Sequence, residues 1–255
     1  MGLRFAQTLL GAGLALGSLA ASAATPVDVE LQLLVDSSAS IVASEFALQA
    51  QGYADAFRSA AVLGAITDTS NGRLGSIAVQ LIYWSGAAQQ QVAVDWFLID
   101  SAAAADAFAD SILAASRPFD SSTAPGSALA FGDGLFASND FDGNRLVVDV
   151  SGDGTENAGI DTAGARDTAL GLGIDQINGL VVSADLNVLT FYQDEVIGGD
   201  GAFVMAVGNF DDFGAAVQQK LVREIAPIPL PASVWLLLPA LGGLAGLRRR
   251  GRRES

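Results

Sequence analysis

The sequence contains no cysteine and no histidine. Without cysteine the chain has no disulfide bond and no thiol nucleophile, and without histidine it has no Ser-His-Asp triad. The ordinary zinc sites, which use Cys and His ligands, are excluded as well. Any bound metal must therefore take oxygen ligands from Asp, Glu, Ser, Thr, Asn or the backbone, and these ligands suit hard cations such as Mg²⁺, Ca²⁺ and Mn²⁺.

Basic residues are also scarce, with 13 Lys and Arg against 28 Asp and Glu. Arg4 and the five arginines between Arg248 and Arg253 lie at the two ends of the chain. The 7 basic and 27 acidic residues between positions 25 and 226 give that part a net charge of −20. Such a surface repels nucleic acid, whose binding needs Lys and Arg at the phosphates. It suits cations or basic partners, and it equally provides solubility in a salty or extracellular medium.

Residues 1–24 have the pattern of a secretory signal peptide. Arg4 provides a positive start, residues 9–19 form a short apolar run, and Ala21-Ser22-Ala23 is a small-residue cleavage pattern. The alternative is an N-terminal membrane anchor, for which the apolar run is short. We therefore expect export and cleavage near Ala23 or Ala24.

Residues 227–255 have the pattern of a membrane-inserted tail. Ile228-Pro229-Leu230-Pro231-Ala232 precedes an apolar stretch and then the arginine cluster. About 20 residues suffice for a helix to span a bilayer, and the arginines are expected to stay in the cytoplasm. The tail thus predicts a domain held outside the inner membrane.

This order of features resembles the VPLPA variant of the PEP-CTERM sorting signals, with Ile228 in the place of Val. The resemblance implies transient tethering by a transmembrane helix and removal of the tail by an exosortase-type membrane protease. The protein would then reside at the cell surface, in the envelope or in the extracellular matrix. A plain tail anchor is the alternative.

Between the two ends, residues 25–226 alternate between strand and helix patterns, which predicts one domain with a doubly wound, mainly parallel α/β sheet and helices on both faces. The segment 91–97 is expected to pair antiparallel with 76–84 as an edge strand. Ligands in such folds bind beyond the carboxyl ends of the strands. The predicted parallel strands are 27–35, 76–84, 145–151, 176–182 and 202–207. The first predicted helix is capped by Ser44 and runs through Val62. The other predicted helices begin near Ser101, Ser127, Thr162, Asp185 and Asp211.

A candidate cation site begins where the first strand ends, at Asp36. Ser38 and Ser40 follow at alternate positions, so their hydroxyls are expected to face the same way as the carboxylate. Two hydroxyls beside one carboxylate can hold a small hard cation at low net charge, which leaves the cation able to accept an anionic ligand. The Asp-x-Ser-x-Ser pattern resembles the metal-ion-dependent adhesion site (MIDAS) of von Willebrand factor A domains.

In that family a Thr from a second loop and an Asp from a third loop complete the site. Thr123 precedes a predicted helix and Asp153 ends a predicted strand, so both match in order and place. Each has a simpler explanation: Thr123 could cap the helix, and Gly152-Asp153-Gly154 could be only a tight turn. Asp149 competes with Asp153, but it lies inside the strand, where a hydrogen-bonded structural role is expected. The resemblance implies Mg²⁺, with Ca²⁺ or Mn²⁺ as alternatives, on Asp36, Ser38, Ser40, Thr123 and Asp153.

A longer resemblance, over residues 27–225, is to the uncharacterised bacterial family DUF1194, which is placed among A-domain-like, Rossmann-type folds. Asp200 departs from it, since Pro is expected before Gly201. The family implies a fold and no activity. The segments that match are Val148–Gly154, Ile177–Leu180, Tyr192–Gly199, Gly201–Val204 and Lys220–Ile225.

Three functions remain open for such a site. The favoured one is a surface- or envelope-associated binding module whose cation engages an Asp or Glu carboxylate of a protein ligand. The second is a structural envelope or matrix component in which the cation only stabilises the loops. The third and least favoured is a metal-assisted hydrolase with Asp153 and Glu156 as acid and base, although Glu156 is more simply expected to be an exposed loop residue. The segment Gly198-Gly199-Asp200-Gly201 lacks a following Lys and helix, so it is not a P-loop and is expected to be a loop.

Overall fold

The computed structural model describes residues 23–226. The predicted sorting signal at 227–255 lies outside these residues, as does the signal peptide apart from Ala23 and Ala24. Within residues 23–226 no helix is both long and apolar enough to cross a membrane.

The described residues form an α/β fold with a mainly parallel central sheet, which confirms the predicted fold class. The sheet has seven strands in the order β4-β3-β2-β6-β7-β8, and β9 also pairs with β7. A separate two-stranded pair joins β1 and β5. The strands are β1 (Thr25–Val27), β2 (Val29–Asp36), β3 (Ile77–Trp84), β4 (Gln90–Ile99), β5 (Phe141–Gly143), β6 (Leu146–Gly152), β7 (Gln176–Val182), β8 (Gly198–Gly199) and β9 (Val204–Val207).

The antiparallel edge strand is present as expected, because β4 runs antiparallel to β3. A second antiparallel pairing was not predicted: β8 contributes two residues that pair with the start of β7. Part of the glycine-rich segment that was expected to be a loop is therefore a short strand.

Helices cover both faces of the sheet and enclose two separate cores. Every residue of β2 is buried, and its side chains alternate between the cores. Leu33 and Val35 join the core beneath α1, α2, α3 and α7, whereas Leu34 joins the core beneath α4, α5 and α6. The helices are α1 (Ala43–Arg58), α2 (Ala60–Thr67), α3 (Ala102–Ala114), α4 (Pro125–Phe136), α5 (Thr162–Gly171), α6 (Leu186–Phe191) and α7 (Phe213–Ile225).

Two details of the predicted helices are wrong. Ser44 does not cap α1, which begins one residue earlier; the carboxylate of Glu45 instead accepts a 2.8 Å hydrogen bond from the Val42 amide. The helix also does not continue through Val62, because Ser59 is extended and its hydroxyl caps α2 through the amide of Val62. A serine that can bond to nearby backbone competes with the helix at such positions.

The parallel register brings the carboxyl ends of the central strands together. Asp36, the last residue of β2, lies opposite Trp84, the last residue of β3. On the other side of β2, Val35 lies opposite Ser151 in β6. The loops that follow β2 and β6 therefore leave the same edge of the sheet side by side, and the site must form there.

Candidate metal centre

The first loop folds its polar side chains into one cluster directly after β2. The Asp36 carboxylate accepts a 2.7 Å hydrogen bond from the Ser38 amide. The hydroxyl oxygens of Ser38 and Ser40 lie 3.1 Å apart. Ser37, which lies between Asp36 and Ser38, faces the other way, and its hydroxyl donates a hydrogen bond to the carbonyl of Trp84. The alternation expected from the sequence is thus present, with Ser38 and Ser40 on one side and Ser37 on the other.

The third loop joins this cluster through Asp153. The hydroxyl of Ser40 donates a 2.6 Å hydrogen bond to Asp153 Oδ1, although the two residues are 113 positions apart. Asp153 follows directly on β6, so its position is set by the pairing of β6 with β2. The structure therefore places Asp36, Ser38, Ser40 and Asp153 in one site.

The second loop places the side chain of Thr123 against the third loop. A Cβ built on Gly154 would lie 3.7 Å from both Oγ1 and Cγ2 of Thr123, which is buried. Two hydrogen bonds to Asn157 hold the backbone of Thr123. The Thr123 amide donates to Asn157 Oδ1 at 2.9 Å, and the Thr123 carbonyl accepts from the Asn157 amide at 3.0 Å. Thr123 is not the helix cap that the simpler explanation required, because α4 begins after Ala124 without a side-chain cap. Its hydroxyl remains available to a cation.

Arg117 holds the first two loops together. Its guanidinium donates hydrogen bonds to the carbonyls of Ser37 and Ser38, at 2.9 and 2.8 Å, and to that of Phe119 at 2.9 Å. A backbone hydrogen bond from Ala39 to Ser121 links the same two loops. A rigid planar donor with several N–H groups is well suited to such a task.

Asp36 is fully buried and Asp153 is half-buried, and this burial raises the pKa values of both carboxylates. Burial raises the pKa of Asp36 from 3.8 to about 7, against the opposing effect of the hydrogen bonds from Ser38. Burial also raises the pKa of Asp153, which the hydrogen bond from Ser40 opposes and the nearby charge of Glu45 reinforces. Two carboxylates in such surroundings gain from a neighbouring positive charge, because an opposite charge favours the ionised form.

The donor set fits a hard divalent cation. Asp36 is fully buried, and its Oδ2 has no hydrogen-bond partner among residues 23–226. Unpaired buried polar atoms are rare in proteins, and an ion can account for one. The described part of the chain contains no group of three or more His, Cys, Asp or Glu side chains that could hold a metal. The expected donor set instead consists of two carboxylates and three hydroxyls, which is a low-charge set of oxygen ligands.

Two other acidic residues considered from the sequence do not belong to this site. Asp149 is buried inside β6 and forms an ion pair with Lys220, so it has the structural role expected of it. Glu156 accepts a hydrogen bond from the hydroxyl of Thr162 and is half-buried, which was not expected. Its carboxylate is engaged at the start of α5, so the acid–base pair of the hydrolase hypothesis gains no support.

Three residues that shape the site were not identified from the sequence. Arg117 could have been singled out as the only basic residue between Arg73 and Arg145. Gln49 donates from α1 to the Asp36 carbonyl at 3.2 Å, and a buried glutamine on an apolar helix face would have been a weak signal. The Tyr192 hydroxyl and Asp36 Oδ2 both approach Gly152, and no local pattern predicts this proximity.

The chain belongs to the protein family described as "Protein of unknown function (DUF1194)", whose match covers residues 26–229. This match confirms the family predicted from the sequence segments. Comparison with curated proteins gives no match.

Solved structures with a similar fold include one that is described as von Willebrand factor type A. Proximal thread matrix protein 1 from the mussel byssus has a TM-score of 0.58 at 13% identity, over 78% of this chain and 48% of that one. The pilus adhesin SpaC from Lactobacillus rhamnosus GG has a TM-score of 0.54 at 15% identity, over 79% of this chain and 30% of SpaC. A von Willebrand factor type A protein from Catenulispora acidiphila has a TM-score of 0.53 at 12% identity, over 78% of this chain and 43% of that protein.

These identities establish a common fold only. The present chain spans less than half the length of each of these three proteins. A second structure of the mussel protein, with a TM-score of 0.55, is described as having a zinc-occupied MIDAS motif.

Proposed function

We propose that this protein is an exported adhesion-type binding module, which uses a divalent cation on Asp36, Ser38, Ser40, Thr123 and Asp153 to engage a carboxylate of a protein ligand. The observation that carries this proposal is the 2.6 Å hydrogen bond between Ser40 and Asp153 beside the unpaired Oδ2 of Asp36. It joins the ends of two strands into one oxygen-lined site. We expect Mg²⁺ in preference to Ca²⁺ or Mn²⁺, although the similar mussel structure contains zinc.

The similar structures support this proposal by the roles their names give them. One is named a thread matrix protein of the mussel byssus and another a pilus adhesin, which are names for structures at or beyond the cell surface. The signal-peptide and tail predictions point to the same compartment. We therefore propose the cell surface, envelope or matrix as the location, and a non-enzymatic role.

The charge distribution indicates which carboxylate ligand the site would accept. Each of the seven basic side chains within residues 23–226 already contacts an acidic side chain, a backbone carbonyl or an aromatic ring of the same domain. The acidic side chains far outnumber them. A ligand carboxylate flanked by further acids would be repelled, whereas one flanked by Lys or Arg would be attracted. The seven are Arg58, Arg73, Arg117, Arg145, Arg166, Lys220 and Arg223.

Metal binding is tested by thermal denaturation with and without Mg²⁺. Occupancy at 100 times the dissociation constant stabilises a fold by about 2.7 kcal/mol, so the melting temperature of the wild type is expected to rise. The rise should disappear in Asp36→Ala and in Ser40→Ala. Ser44→Ala is the matched control, because Ser44 is exposed four residues beyond Ser40 and should leave the response intact. An unchanged metal response in Asp36→Ala would refute the site.

Ligand binding is tested with two synthetic peptides that carry one Asp, flanked in one peptide by lysines and in the other by glutamates. The lysine peptide should bind in Mg²⁺, lose binding in EDTA, and weaken as salt is raised. Binding that persists in EDTA would instead favour the structural role, in which the cation only stabilises the loops. Equal binding of both peptides would contradict only the charge argument, which predicts a preference for the lysine peptide.

A further inference from the structure

A tyrosine hydroxyl lies directly behind the first residue of the site. Tyr192 and Asp36 are both fully excluded from solvent. Within residues 23–226, neither the Tyr192 hydroxyl nor Asp36 Oδ2 has a hydrogen-bond partner. Two unpaired polar atoms in one buried place are unusual, because almost all buried polar groups in proteins are paired.

Both atoms reach the same point beside β6, and Gly152 permits this. A Cβ built on Gly152 would lie 2.7 Å from the Tyr192 hydroxyl and 2.8 Å from Asp36 Oδ2. On the neighbouring strand, a Cβ built on Gly179 would lie 2.8 Å from the Tyr192 ring. Two adjacent strands thus have glycine where the tyrosine approaches, and any larger side chain at 152 would crowd both polar atoms.

The backbone at Tyr192 is itself unusual. Residues Tyr192–Val196 form a π-helical turn at the end of α6, closed by a 3.0 Å hydrogen bond from the Ile197 amide to the Tyr192 carbonyl. Such turns are rare and occur frequently at functional sites.

We propose that Tyr192 is a positioning residue of the metal centre, whose hydroxyl donates a hydrogen bond to the Asp36 carboxylate and orients it towards the cation. This inference rests on the proposed function, since it requires a bound cation. A bound cation would keep Asp36 ionised, and an ionised carboxylate is a strong acceptor for a phenol O–H group. Because each carboxylate oxygen has two lone pairs, a hydrogen bond from Tyr192 to Oδ2 would leave the carboxylate able to bind the cation. Partners of this kind orient metal ligands, and their loss commonly weakens metal binding about 10- to 100-fold.

The tyrosine hydroxyl is protonated at neutral pH, because a phenol has an ordinary pKa of about 10. It is therefore available as a hydrogen-bond donor. This matches its proposed partner, since an ionised carboxylate can only accept.

The variant Tyr192→Phe gives two opposite effects if the inference is right. Without metal, the melting temperature should stay the same or rise, because the variant removes a buried hydroxyl that has no partner. With Mg²⁺ or Mn²⁺, titration calorimetry should show binding about 10- to 100-fold weaker than in the wild type. If the hydroxyl had only a structural role, Tyr192→Phe would instead have a lower melting temperature than the wild type and an unchanged metal affinity.

The other two tyrosines of the sequence provide matched controls. Tyr53 is buried and its hydroxyl donates to Ser151 Oγ at 3.3 Å, one residue before Gly152. Tyr83 is buried in β3. Tyr53→Phe and Tyr83→Phe should keep the wild-type metal affinity. The near-ultraviolet difference spectrum on adding Mg²⁺ should contain a tyrosine signal that is lost only in Tyr192→Phe.

The outcomes separate the two proposals. If the wild type binds neither Mg²⁺ nor Mn²⁺, both fail. If the wild type binds and Tyr192→Phe binds equally well, the metal site stands and the role of Tyr192 is refuted. Gly152→Ala adds a second test, since its methyl group should weaken metal binding while the hydroxyl is retained. Wild-type affinity in Gly152→Ala would also overturn the inference.

Discussion

The ammonium group of Lys220 lies 2.7 Å from Asp149 Oδ1, and both side chains are buried in the interior. Lys220 also pairs with Glu224, one turn further along α7. The carboxylate of Glu224 accepts a 2.9 Å hydrogen bond from Asn178 in β7. One cation and two carboxylates thus join α7 to β6, the strand that ends at the candidate metal site.

Removal of this buried cation should destabilise the protein strongly. Lys220→Met leaves Asp149 and Glu224 buried without their cation, and such a loss costs about 3–5 kcal/mol. The free energy of unfolding from urea denaturation measures the effect. Arg58→Met is the control, because Arg58 pairs with exposed Asp110 and a surface pair contributes less than about 1 kcal/mol. Similar losses in the two variants would contradict the importance assigned to the buried network.

The stability of the metal-free protein should fall as the pH rises through the neutral range. Burial raises the pKa of Glu224 from 4.5 to about 7, with Asp149 adding to the rise and Lys220 and Asn178 opposing it. Between pH 4.5 and about 7, Glu224 is protonated in the native state but ionised in the unfolded chain. The contribution of Glu224 to stability is therefore greatest below this range and is lost as the pH rises through about 7.

Glu224→Gln isolates this contribution, because glutamine can still accept a hydrogen bond from Lys220 but does not ionise. Its unfolding free energy, measured in urea and EDTA at a series of pH values, should depend less on pH than that of the wild type. Asp36 has a similarly raised pKa and is present in both proteins, so its effect cancels in the comparison. Parallel curves for the two proteins would show that Glu224 is not responsible.

Two glycines of α4 should respond oppositely to the same substitution. A Cβ on Gly126 would lie 2.3 Å from the Ile160 carbonyl oxygen and 2.9 Å from Thr162 Cα, so Gly126→Ala should cost about 1–3 kcal/mol. A Cβ on Gly134 would meet nothing within 4 Å, so Gly134→Ala should stabilise the helix by about 0.5–1 kcal/mol. Chemical denaturation measures both. A neutral Gly126→Ala would show that α4 and the third loop do not pack as closely as described.

The sorting-signal prediction leads to a test on the intact protein from its native host. If the tail is removed as the resemblance implies, mass spectrometry should find a mature chain that lacks the arginine cluster. A mature chain ending at Ser255 would contradict processing and favour the plain tail anchor.

The fold was largely predictable from local patterns. Buried parallel strands are continuous apolar runs, and the predicted strand 176–182 agrees with β7 at both ends. The failures have local causes. Glu45, rather than Ser44, caps α1, and Ser59 interrupts what the apolar spacing presents as one helix. The two-residue strand β8 is too short for any periodicity, and only its pairing with β7 defines it.

By itself, the sequence determined the chemistry of the candidate site. The absence of Cys and His restricts the ligands to oxygen, and the spacing of Asp36, Ser38 and Ser40 places them on one side of an extended loop. Asp153 was predicted from the resemblance to the von Willebrand A site, together with its place at the end of an apolar strand. These features depend on residue type and on short-range geometry, which a single sequence contains.

Only the tertiary structure decided which distant residues support that site. Arg117 joins two loops, Lys220 neutralises Asp149, and Tyr192 approaches Asp36 over Gly152. Each contact joins residues that are many tens of positions apart in the chain. Such contacts depend on strand register and helix packing rather than on local pattern, so the sequence contains the side chains but does not specify which of them meet.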